Sequence, residues 1–383
     1  MPDNRALDGT IRKFFSPDVG IGIARYILSF AGVLILGSIL IMAQGEDPIR
    51  AARLIVYGAL GNLVAIGNSL RWAMPCMLTG AASIIAMKSG VINLGIEGQM
   101  YVGAFTAAVL GWAVRLPPGV HVVVCIAGAG IAGVAWAIVP ALMRLFLSVN
   151  EYVTTMMMNF IATLFCDYFV VWMIIPSSGI TTTTAATPPI ASGARLSTLI
   201  KGTSCSTGLI IGIAVCLLVC ILYKYTIKGY ELKQVGENLK FAKTGGVNVK
   251  KTFIIIFVLS GFLGGLSGGV EVTGGYYRYV SGFSYTMGWE GIMIANICNN
   301  NPIGLIFASI VWGGLKTGAM SMERGTTLNR LTVNLLQMFF VILVSINYEG
   351  IFRYFADRMK KRRQARRFLE GENRGGKSAC SGM

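Results

Sequence analysis

The stretch Asn93-Leu-Gly-Ile-Glu97-Gly-Gln99-Met-Tyr101 places a carboxylate, two amides and two glycines between long apolar runs. A carboxylate at membrane depth costs about 2.5 to 3.5 kcal/mol on insertion scales, and proteins that keep one there line a polar path with it. We therefore predict that this stretch borders a polar path through a bundle of membrane helices.

The composition of the whole chain is that of an integral membrane protein. Apolar residues make up 54% and charged residues 13% of the 383 residues, and the mean hydropathy is +0.64. Soluble domains carry about 25% charged residues. Apolar runs of about 17 to 25 residues recur, and each is long enough to cross the hydrocarbon core as a helix. Because no alternating pattern of a membrane barrel dominates, we predict an all-α, polytopic membrane helical bundle.

Eleven apolar runs are candidate spans. They are 23–42, 54–69, 72–87, 99–114, 121–147, 152–175, 207–225, 253–272, 288–298, 303–320 and 331–346. If both chain ends lie on one side, the number of spans is even, so we expect about ten transmembrane helices. The two segments expected to be broken or re-entrant are Trp72 to Met87, which contains Pro75, and Gly288 to Cys298, which is short. Such segments are tolerated only where they face protein or a wet cavity.

The net charge of +16 is concentrated in two places. The tail from Arg353 to Lys377 holds ten basic and three acidic residues, and seven lysines lie between Lys224 and Lys251. Basic segments beside spans mark the cytoplasmic side. We therefore expect a multi-pass plasma (inner) membrane protein with both termini cytoplasmic. Its parts would be a cytoplasmic N-terminal segment (1–22), a transmembrane domain (23–350) with a cytoplasmic loop at 225–251, and a basic cytoplasmic tail (351–383).

The basic charge does not predict nucleic-acid binding, because no aromatic stacking platform accompanies it. The eight cysteines are scattered and there is a single histidine, so no metal site is expected. Gly371 to Ser378 matches the Walker A pattern letter for letter. It lies in a polar tail without the preceding strand or following helix that phosphate binding requires. The chain is therefore expected not to be an enzyme and to draw energy either from an ion gradient or from a separate subunit.

Two further patterns carry structural expectations. Asn238 to Lys243 reads as a short helix that Gly245 or Gly246 ends in the left-handed conformation. Overlapping small residues four apart in Ser260 to Gly269 predict a close approach between helices. That packing face would be internal to the bundle or, alternatively, a seam between subunits.

Four motifs resemble a known family of membrane proteins. Val235-Gly-Glu-Asn, followed by Ala242 and Gly245-Gly-Val-Asn, is similar to the coupling loop of ABC-importer permeases. The segment from Gly90 to Ala104 resembles the signature of the branch for nucleosides, simple sugars and branched-chain amino acids. Asn150 to Asn159 and Asn299-Asn-Asn-Pro302 are similar to the nucleoside and simple-sugar subgroup. The likeness extends from about Asn68 to Tyr348.

The resemblance implies a transmembrane subunit of an ATP-driven importer for nucleosides or simple sugars. Its coupling loop would dock on a cytoplasmic ATPase subunit that carries the ATP and magnesium, so that this chain itself binds no cofactor. A second permease subunit, expected to be a different chain, would complete the pathway, and an extracellular substrate-binding lipoprotein would deliver the solute. Besides membrane lipid, no other partner is implied. The expected coupling residues are Val235, Gly236, Glu237, Asn238, Lys240, Ala242, Gly245 and Gly246.

The candidate residues of the solute pathway are polar groups at membrane depth. They are Asn93, Glu97, Gln99, Asn159, Glu271 and Glu290. The amides and carboxylates suit sugar hydroxyls, although Glu97 and Glu271 could equally be structural, satisfied by neighbouring amides. Two other functions remain open at this point. One is a proton-coupled secondary transporter that uses Glu97 or Glu271 as proton carrier, and the other is a membrane scaffold that transports nothing.

Overall fold

The computed structural model describes residues 31–32, 35–174, 185–284, 286–328 and 330–345. The predicted N-terminal segment (1–22), most of the candidate span 23–42 and the tail (351–383) lie outside these residues. The chain divides into two compact units. One comprises residues 46–333. In the other, residues 35–43 and 334–345 are helical.

Twelve helices are labelled here in chain order. They are α1 (Pro48–Leu60), α2 (Leu63–Lys88), α3 (Ile96–Ala113), α4 (Val120–Leu147), α5 (Glu151–Phe169), α6 (Gly208–Tyr225), α7 (Ile227–Glu237), α8 (Leu239–Thr244), α9 (Val249–Glu271), α10 (Met287–Ile297), α11 (Pro302–Gly325) and α12 (Arg330–Ser345). π-turns extend α5 over Val170–Ile174 and α9 over Val272–Tyr276. The described residues contain no β-strand and only two isolated bridges. The predicted all-α fold is therefore confirmed.

Local capping chemistry sets where many of these helices begin. An Asx side chain accepts a hydrogen bond from a backbone N–H of the first turn in α1, α2, α5, α8, α9 and α11. The capping residues are Asp47, Asn62, Asn150, Asn238, Asn248 and Asn301. Such caps satisfy donors that a helix end otherwise leaves unpaired.

Six helical segments of the described chain are long and apolar enough to cross a membrane. They are Leu63–Lys88, Val120–Leu147, Glu151–Trp172, Gly208–Tyr225, Val249–Tyr276 and Pro302–Gly325. The prediction of about ten spans is therefore not confirmed. Two of the predicted spans, 99–114 and 288–298, are not among these six. α3 has 18 residues but includes the polar Glu97 and Gln99, and α10 has only 11 residues, which is too short to cross a membrane.

The expected break at Pro75 is wrong. α2 is one continuous helix of 26 residues with Pro75 inside it, and its buried stretch runs from Ala73 to Ala86. The chain breaks instead at Gly61 and Asn62, between α1 and α2, so the expected spans 54–69 and 72–87 are divided at the wrong place. A proline inside a membrane helix is tolerated when neighbouring helices and hydroxyl side chains satisfy the freed backbone groups. Here the freed carbonyl is that of Arg71, and α9 packs closely beside it: the Ser267 hydroxyl of α9 donates to the carbonyl of Pro75 itself, as does Thr79 of α2.

The connection from α2 to α3 is a non-helical segment that lies inside the bundle. α2 ends in a Schellman motif, in which Gly90 has φ of 73° and Val91 N–H donates to the Ala86 carbonyl at 3.1 Å. The chain then runs back beside α9, where Asn93 bonds Ser260. Ser260 lies eleven residues into α9, about 16 Å along the helix axis. The segment 91–95 therefore re-enters the bundle, covered by protein.

The glycine pattern in α9 is an internal packing face. A Cβ on Gly265 would lie 2.3 Å from the Ala129 carbonyl oxygen of α4, and one on Gly268 would lie 2.0 Å from the Met100 carbonyl oxygen of α3. Only residues without a side chain permit such contacts between backbones. These contacts confirm that the glycines form a packing face inside the bundle, which was one of the two predicted alternatives, and not a seam between subunits.

Candidate functional site

Asn93 and Gln99 are paired at the start of α3. Asn93 Nδ2 donates to Ser260 Oγ at 2.9 Å and to Gln99 Oε1 at 3.2 Å, and its Oδ1 accepts from the Gly95 N–H at 2.9 Å. Both side chains are almost fully buried. They tie the re-entering segment to α9, so their direct partners are protein groups.

Asn159 holds the same segment from the side of α5. Its Oδ1 accepts from the Gly98 N–H and its Nδ2 donates to the Leu94 carbonyl, both at 2.8 Å. One amide thereby satisfies two backbone groups at the point where α3 begins. The contact of α5 with this turn is so close that a Cβ on Gly98 would lie 2.9 Å from Asn159 Oδ1.

Glu97 lies at the N-terminus of α10. Its Oε2 accepts from the Gly288 N–H at 2.6 Å, and its Oε1 accepts from the Ser284 hydroxyl. A carboxylate is stabilised at a helix N-terminus by the unpaired N–H groups and by the helix dipole. Glu97 therefore joins α3 to α10, which gives it a structural role whatever else it does.

The same carboxylate borders a cavity of about 320 Å³. The lining residues are Glu97, Tyr101, Asn159, Phe160, Thr163, Gly282, Thr286 and Trp289. This volume falls in the lower range of small-molecule sites, in which mostly apolar walls carry a few polar groups. Two of the six predicted pathway residues, Glu97 and Asn159, line the cavity, and Asn93 and Gln99 lie behind it.

Glu271 and Glu290 belong to a different cluster. Glu271 Oε1 is 2.5 Å from Arg71 Nη2, and Glu290 Oε1 is 2.7 Å from Lys316 Nζ. The two cations share Trp72, whose ring centroid lies 4.1 Å from Arg71 Cζ and 4.5 Å from Lys316 Nζ. All four charged side chains are about nine-tenths buried or more. The cluster links α2, α9, α10 and α11 with no net charge.

Arg71 and Lys316 were not among the predicted site residues. Only acids at membrane depth were predicted to function there, whereas basic residues indicated sidedness. Arg71 lies between two predicted spans and Lys316 lies within one, so a search for bases inside apolar runs would have found both. Acids and bases that share the same apolar region predict ion pairs, because an isolated charge there is costly.

Among the described residues, no group of three or more His, Cys, Asp or Glu side chains could hold a metal ion. The Walker A-like stretch Gly371 to Ser378 lies outside those residues.

α7 and α8 form a compact pair of short helices at the end of α2, named here the α7–α8 knob. The predicted helix is confirmed at Leu239–Thr244, and Gly246 is its left-handed residue with φ of 83°. α7, which was not predicted, contains Val235, Gly236 and Glu237, and Asn238 caps α8. Four large apolar side chains of the knob are exposed, which are Ile227, Tyr230, Leu239 and Phe241. Of the other predicted coupling residues, Lys240 is exposed and Ala242 is buried.

The knob contacts the re-entering segment through two glycines. A Cβ on Gly236 would lie 2.3 Å from the Lys88 carbonyl oxygen and 2.8 Å from Gly90 N, and a Cβ on Gly90 would lie 2.8 Å from Gly236 Cα. Backbone therefore packs directly on backbone. Gly90 is three residues from Asn93, so one short stretch of chain joins the knob to the base of the cavity.

Long apolar helices, a buried polar segment among them, a cavity beside that segment and a knob at one end are the features expected of a membrane permease. The family model described as branched-chain amino acid transport system / permease component matches residues 65–346. The chain is 28% identical to the guanosine ABC transporter permease protein NupP of Bacillus subtilis, over 86% of this chain and 94% of that protein. It is 30% identical to the nucleoside ABC transporter permease protein NupB of Lactococcus lactis, over 75% and 81%.

A third relative is the glucose ABC transporter permease protein TsgB13 of Haloferax volcanii, which is 26% identical over 86% of this chain and 88% of its own length. No solved structure shows significant similarity to this chain. The chain belongs to the branched-chain amino acid transport system / permease component family. It is a transmembrane subunit of an ABC importer and not an enzyme, since ATP hydrolysis lies in a separate subunit. The proton-coupled alternative is not supported by these relatives.

Proposed function

We propose that this subunit conducts nucleosides or simple sugars and that the cavity beside Glu97 and Asn159 lies on their pathway. The observation that carries the proposal is that the cavity borders the re-entering segment, since Asn159 both lines the cavity and donates to the Leu94 carbonyl of that segment. Its polar groups suit a hydroxylated solute, since Glu97 accepts hydrogen bonds and Thr163, Thr286 and Tyr101 carry hydroxyls. The solutes in the names of three relatives support the same two classes.

The α7–α8 knob is the proposed docking element for the ATPase subunit. Its exposed apolar side chains, among them Leu239 and Phe241, suit a cleft in a partner protein, since exposed apolar patches mark interaction sites. The knob would then face the cytoplasm, as the excess of lysine between Lys224 and Lys251 favours. Movement of the knob would reach the solute cavity through Gly236, Gly90 and the segment 91–95.

A second permease subunit would complete the wall of the cavity. Phe160 lines the cavity and is 60% exposed, so the cavity reaches the outer face of α5. That face is rich in other exposed apolar residues, which are Tyr152, Val153, Met156, Met157, Ile161, Leu164 and Tyr168. An importer of this kind would also require an extracellular binding protein to present the solute. The same proposal includes four further expectations: a different chain as the second subunit, a lipoprotein as the receptor, cytoplasmic termini, and ATP with magnesium on the ATPase.

The energy source separates this proposal from its rivals. Uptake of radiolabelled nucleoside or sugar would be measured in cells whose proton gradient has been collapsed while ATP is maintained. An ATP-driven importer keeps its uptake under these conditions. Loss of uptake on collapse of the gradient would contradict the proposal.

Replacing Glu97 with glutamine is expected to change solute affinity more than protein abundance. The amide oxygen can still accept from Ser284 or Gly288, whereas the charge facing the cavity is lost. Hydrogen bonds to charged groups contribute about 1.5 to 3 kcal/mol, so the KM for uptake is expected to rise about tenfold. KM and membrane abundance would be measured together. If abundance collapses while the surviving protein transports with normal KM, Glu97 is purely structural.

A further inference from the structure

Helix α5 carries a line of three polar side chains beside the solute cavity. They are Asn159, Thr163 and Asp167, which are spaced four residues apart and therefore lie on one face of the helix. Asn159 and Thr163 line the cavity. Asp167 lies one turn further along α5, and it has no part in the site described above.

Asp167 is bonded to a segment on the other side of the cavity. Its Oδ2 accepts from the Ser281 hydroxyl at 2.6 Å, and its Oδ1 accepts from the Tyr279 hydroxyl at 3.1 Å. Both donors belong to residues 279–284, named here the 279–284 segment. An acid in a membrane span is costly without partners, and these two hydroxyl groups supply them. Asp167 therefore joins the 279–284 segment to α5.

The 279–284 segment forms part of the boundary of the cavity. Gly282 lines the cavity directly. The rings of Tyr279 and Phe283 pack edge-on against Tyr101, which is another lining residue, with centroids 6.4 and 5.2 Å from that of Tyr101. The position of this segment therefore determines the shape of the cavity on the side opposite α5.

Two carboxylates hold the segment at different depths. Ser284 donates to Glu97, beside the re-entering segment, whereas Ser281 donates to Asp167. Asp167 lies eight residues beyond Asn159 on α5, a distance of about 12 Å along the helix. Because Asn159 bonds the re-entering segment that leads to the knob, Asp167 marks the end of the cavity remote from the knob. With the knob on the cytoplasmic side, that end faces the side from which an imported solute arrives.

The 279–284 segment is not part of a helix. Gly282 has φ of 74°, in the left-handed region that favours glycine. The backbone of the segment pairs with residues 185–187, since Ser281 N–H donates to the Ala185 carbonyl at 2.8 Å and Thr187 N–H donates to the Tyr279 carbonyl at 2.9 Å. Residues 185–187 belong to the connection between α5 and α6 and not to a helix. The two stretches can therefore move together once the bonds to α5 are broken.

We propose that Asp167 is a positioning residue of the solute pathway, which holds the 279–284 segment against α5 and closes the end of the cavity remote from the knob. This inference rests on the proposed function, because it takes the cavity to be part of the pathway. Release of the Tyr279 and Ser281 hydroxyls would let the segment move away with residues 185–187 and admit solute. Hydrogen bonds to a carboxylate are strong enough to keep the closed form dominant and weak enough to break in each transport cycle.

The test measures how fast a thiol reagent reaches the cavity from outside. A membrane-impermeant trimethylammonium thiosulfonate is applied to intact cells that express the complete importer with the Thr163→Cys variant of this chain. Thr163 is half-buried and lines the cavity, so its labelling rate reports the fraction of chains whose cavity is open to the outside. The chain without this substitution gives the background from its eight native cysteines.

Ser281→Ala and Asp167→Asn, each added to Thr163→Cys, are expected to raise the labelling rate about tenfold, because each weakens a hydrogen bond to a charged group. The double variant is expected to label no faster than Asp167→Asn alone, since both substitutions act on the same contact. Ser281→Thr keeps the hydroxyl and is expected to label at the unaltered rate. Ser192→Ala is the matched control, because Ser192 is an exposed serine of the same α5–α6 connection. It is also expected to leave the rate unchanged.

Unchanged labelling in Ser281→Ala and Asp167→Asn at normal abundance overturns the inference, as does a double variant in which the two increases multiply. If Asp167→Asn does not accumulate, the comparison of Ser281→Ala with Ser281→Thr decides, and equal rates in these two variants overturn the inference. Uptake of nucleoside and of sugar is measured in the same cells. Uptake by the unaltered chain together with unresponsive labelling rejects only the role of Asp167. The expected labelling without uptake of either solute contradicts the proposed function and leaves the closing contact standing.

Discussion

Replacing Glu271 with leucine is expected to lower the free energy of unfolding by about 3 to 5 kcal/mol, because it leaves the Arg71 guanidinium buried and unpaired. Glu271 is fully buried and is the only acid within ion-pair distance of Arg71 in the described chain. The measurement is unfolding of the purified protein by denaturant in detergent, followed by helix content.

The matched control is Glu237→Leu. Its partner Lys233 lies 3.5 Å away on the exposed surface of α7, where an ion pair contributes about 0 to 1 kcal/mol. The double variant Arg71→Met/Glu271→Leu is expected to recover most of the loss, since apolar residues often replace a buried pair without penalty. If Glu271→Leu and Glu237→Leu have equal free energies of unfolding, Arg71 and Glu271 are not a buried ion pair.

Replacing Gly236 with alanine is expected to uncouple ATP hydrolysis from transport. The new Cβ would lie 2.3 Å from the Lys88 carbonyl oxygen and 2.8 Å from Gly90 N, and neither backbone atom can rotate away. α7 must therefore move off the turn that leads to Asn93 and Glu97. Residues between two coupled sites change their coupling by about 0.5 to 2 kcal/mol, so solute transported per ATP hydrolysed is expected to fall about tenfold.

Gly245→Ala provides the control for this variant. It lies on the same knob with φ of −74°, and the atoms nearest to an added Cβ are 3.4 and 3.5 Å away, which is ordinary contact. Its transport per ATP is expected to match that of the unaltered chain. Normal coupling in Gly236→Ala at normal abundance would show that the contact with Gly90 does not carry the movement.

Short-range signals made the knob predictable in part. Asn238 caps α8 and Gly246 ends it, and both act within a few residues of the chain, so the sequence alone placed this helix to within a residue. α7 was not predicted because its residues have no clear apolar face and follow an apolar span directly. Its position depends on the contact of Gly236 with Gly90, which are 146 residues apart in sequence.

The predicted break at Pro75 was wrong because the rule that proline breaks a helix considers only neighbouring residues, whereas α2 is held by contacts with other helices. Proline favours a break wherever the freed carbonyl groups have no other donor. Pro75 frees the Arg71 carbonyl, yet α2 stays continuous because α9, α10 and α11 enclose it here: every residue from Ala73 to Ala86 is buried, and the Ser267 hydroxyl of α9 donates to the Pro75 carbonyl. No pattern near residue 75 indicates this packing.

The polar residues at depth were found from the sequence, but their grouping was not. Glu97 and Asn159 meet at one cavity, whereas Glu271 and Glu290 form ion pairs with Arg71 and Lys316 elsewhere in the bundle. In the sequence, each of these acids is a carboxylate within an apolar run, which is costly to bury without a partner. The sequence does not show whether that partner is another side chain or a group in a cavity.

The sequence by itself determined that this protein is a multi-pass bundle of apolar helices, because apolar length and short capping motifs act locally and need no partner. Its resemblance to importer permeases came from four short motifs. The tertiary structure alone decided which segment re-enters the bundle, which acids face a cavity and which are paired, and how the knob reaches them. Those outcomes depend on the approach of backbones and the pairing of charges between helices far apart in the chain. Such contacts exist only once the helices have packed.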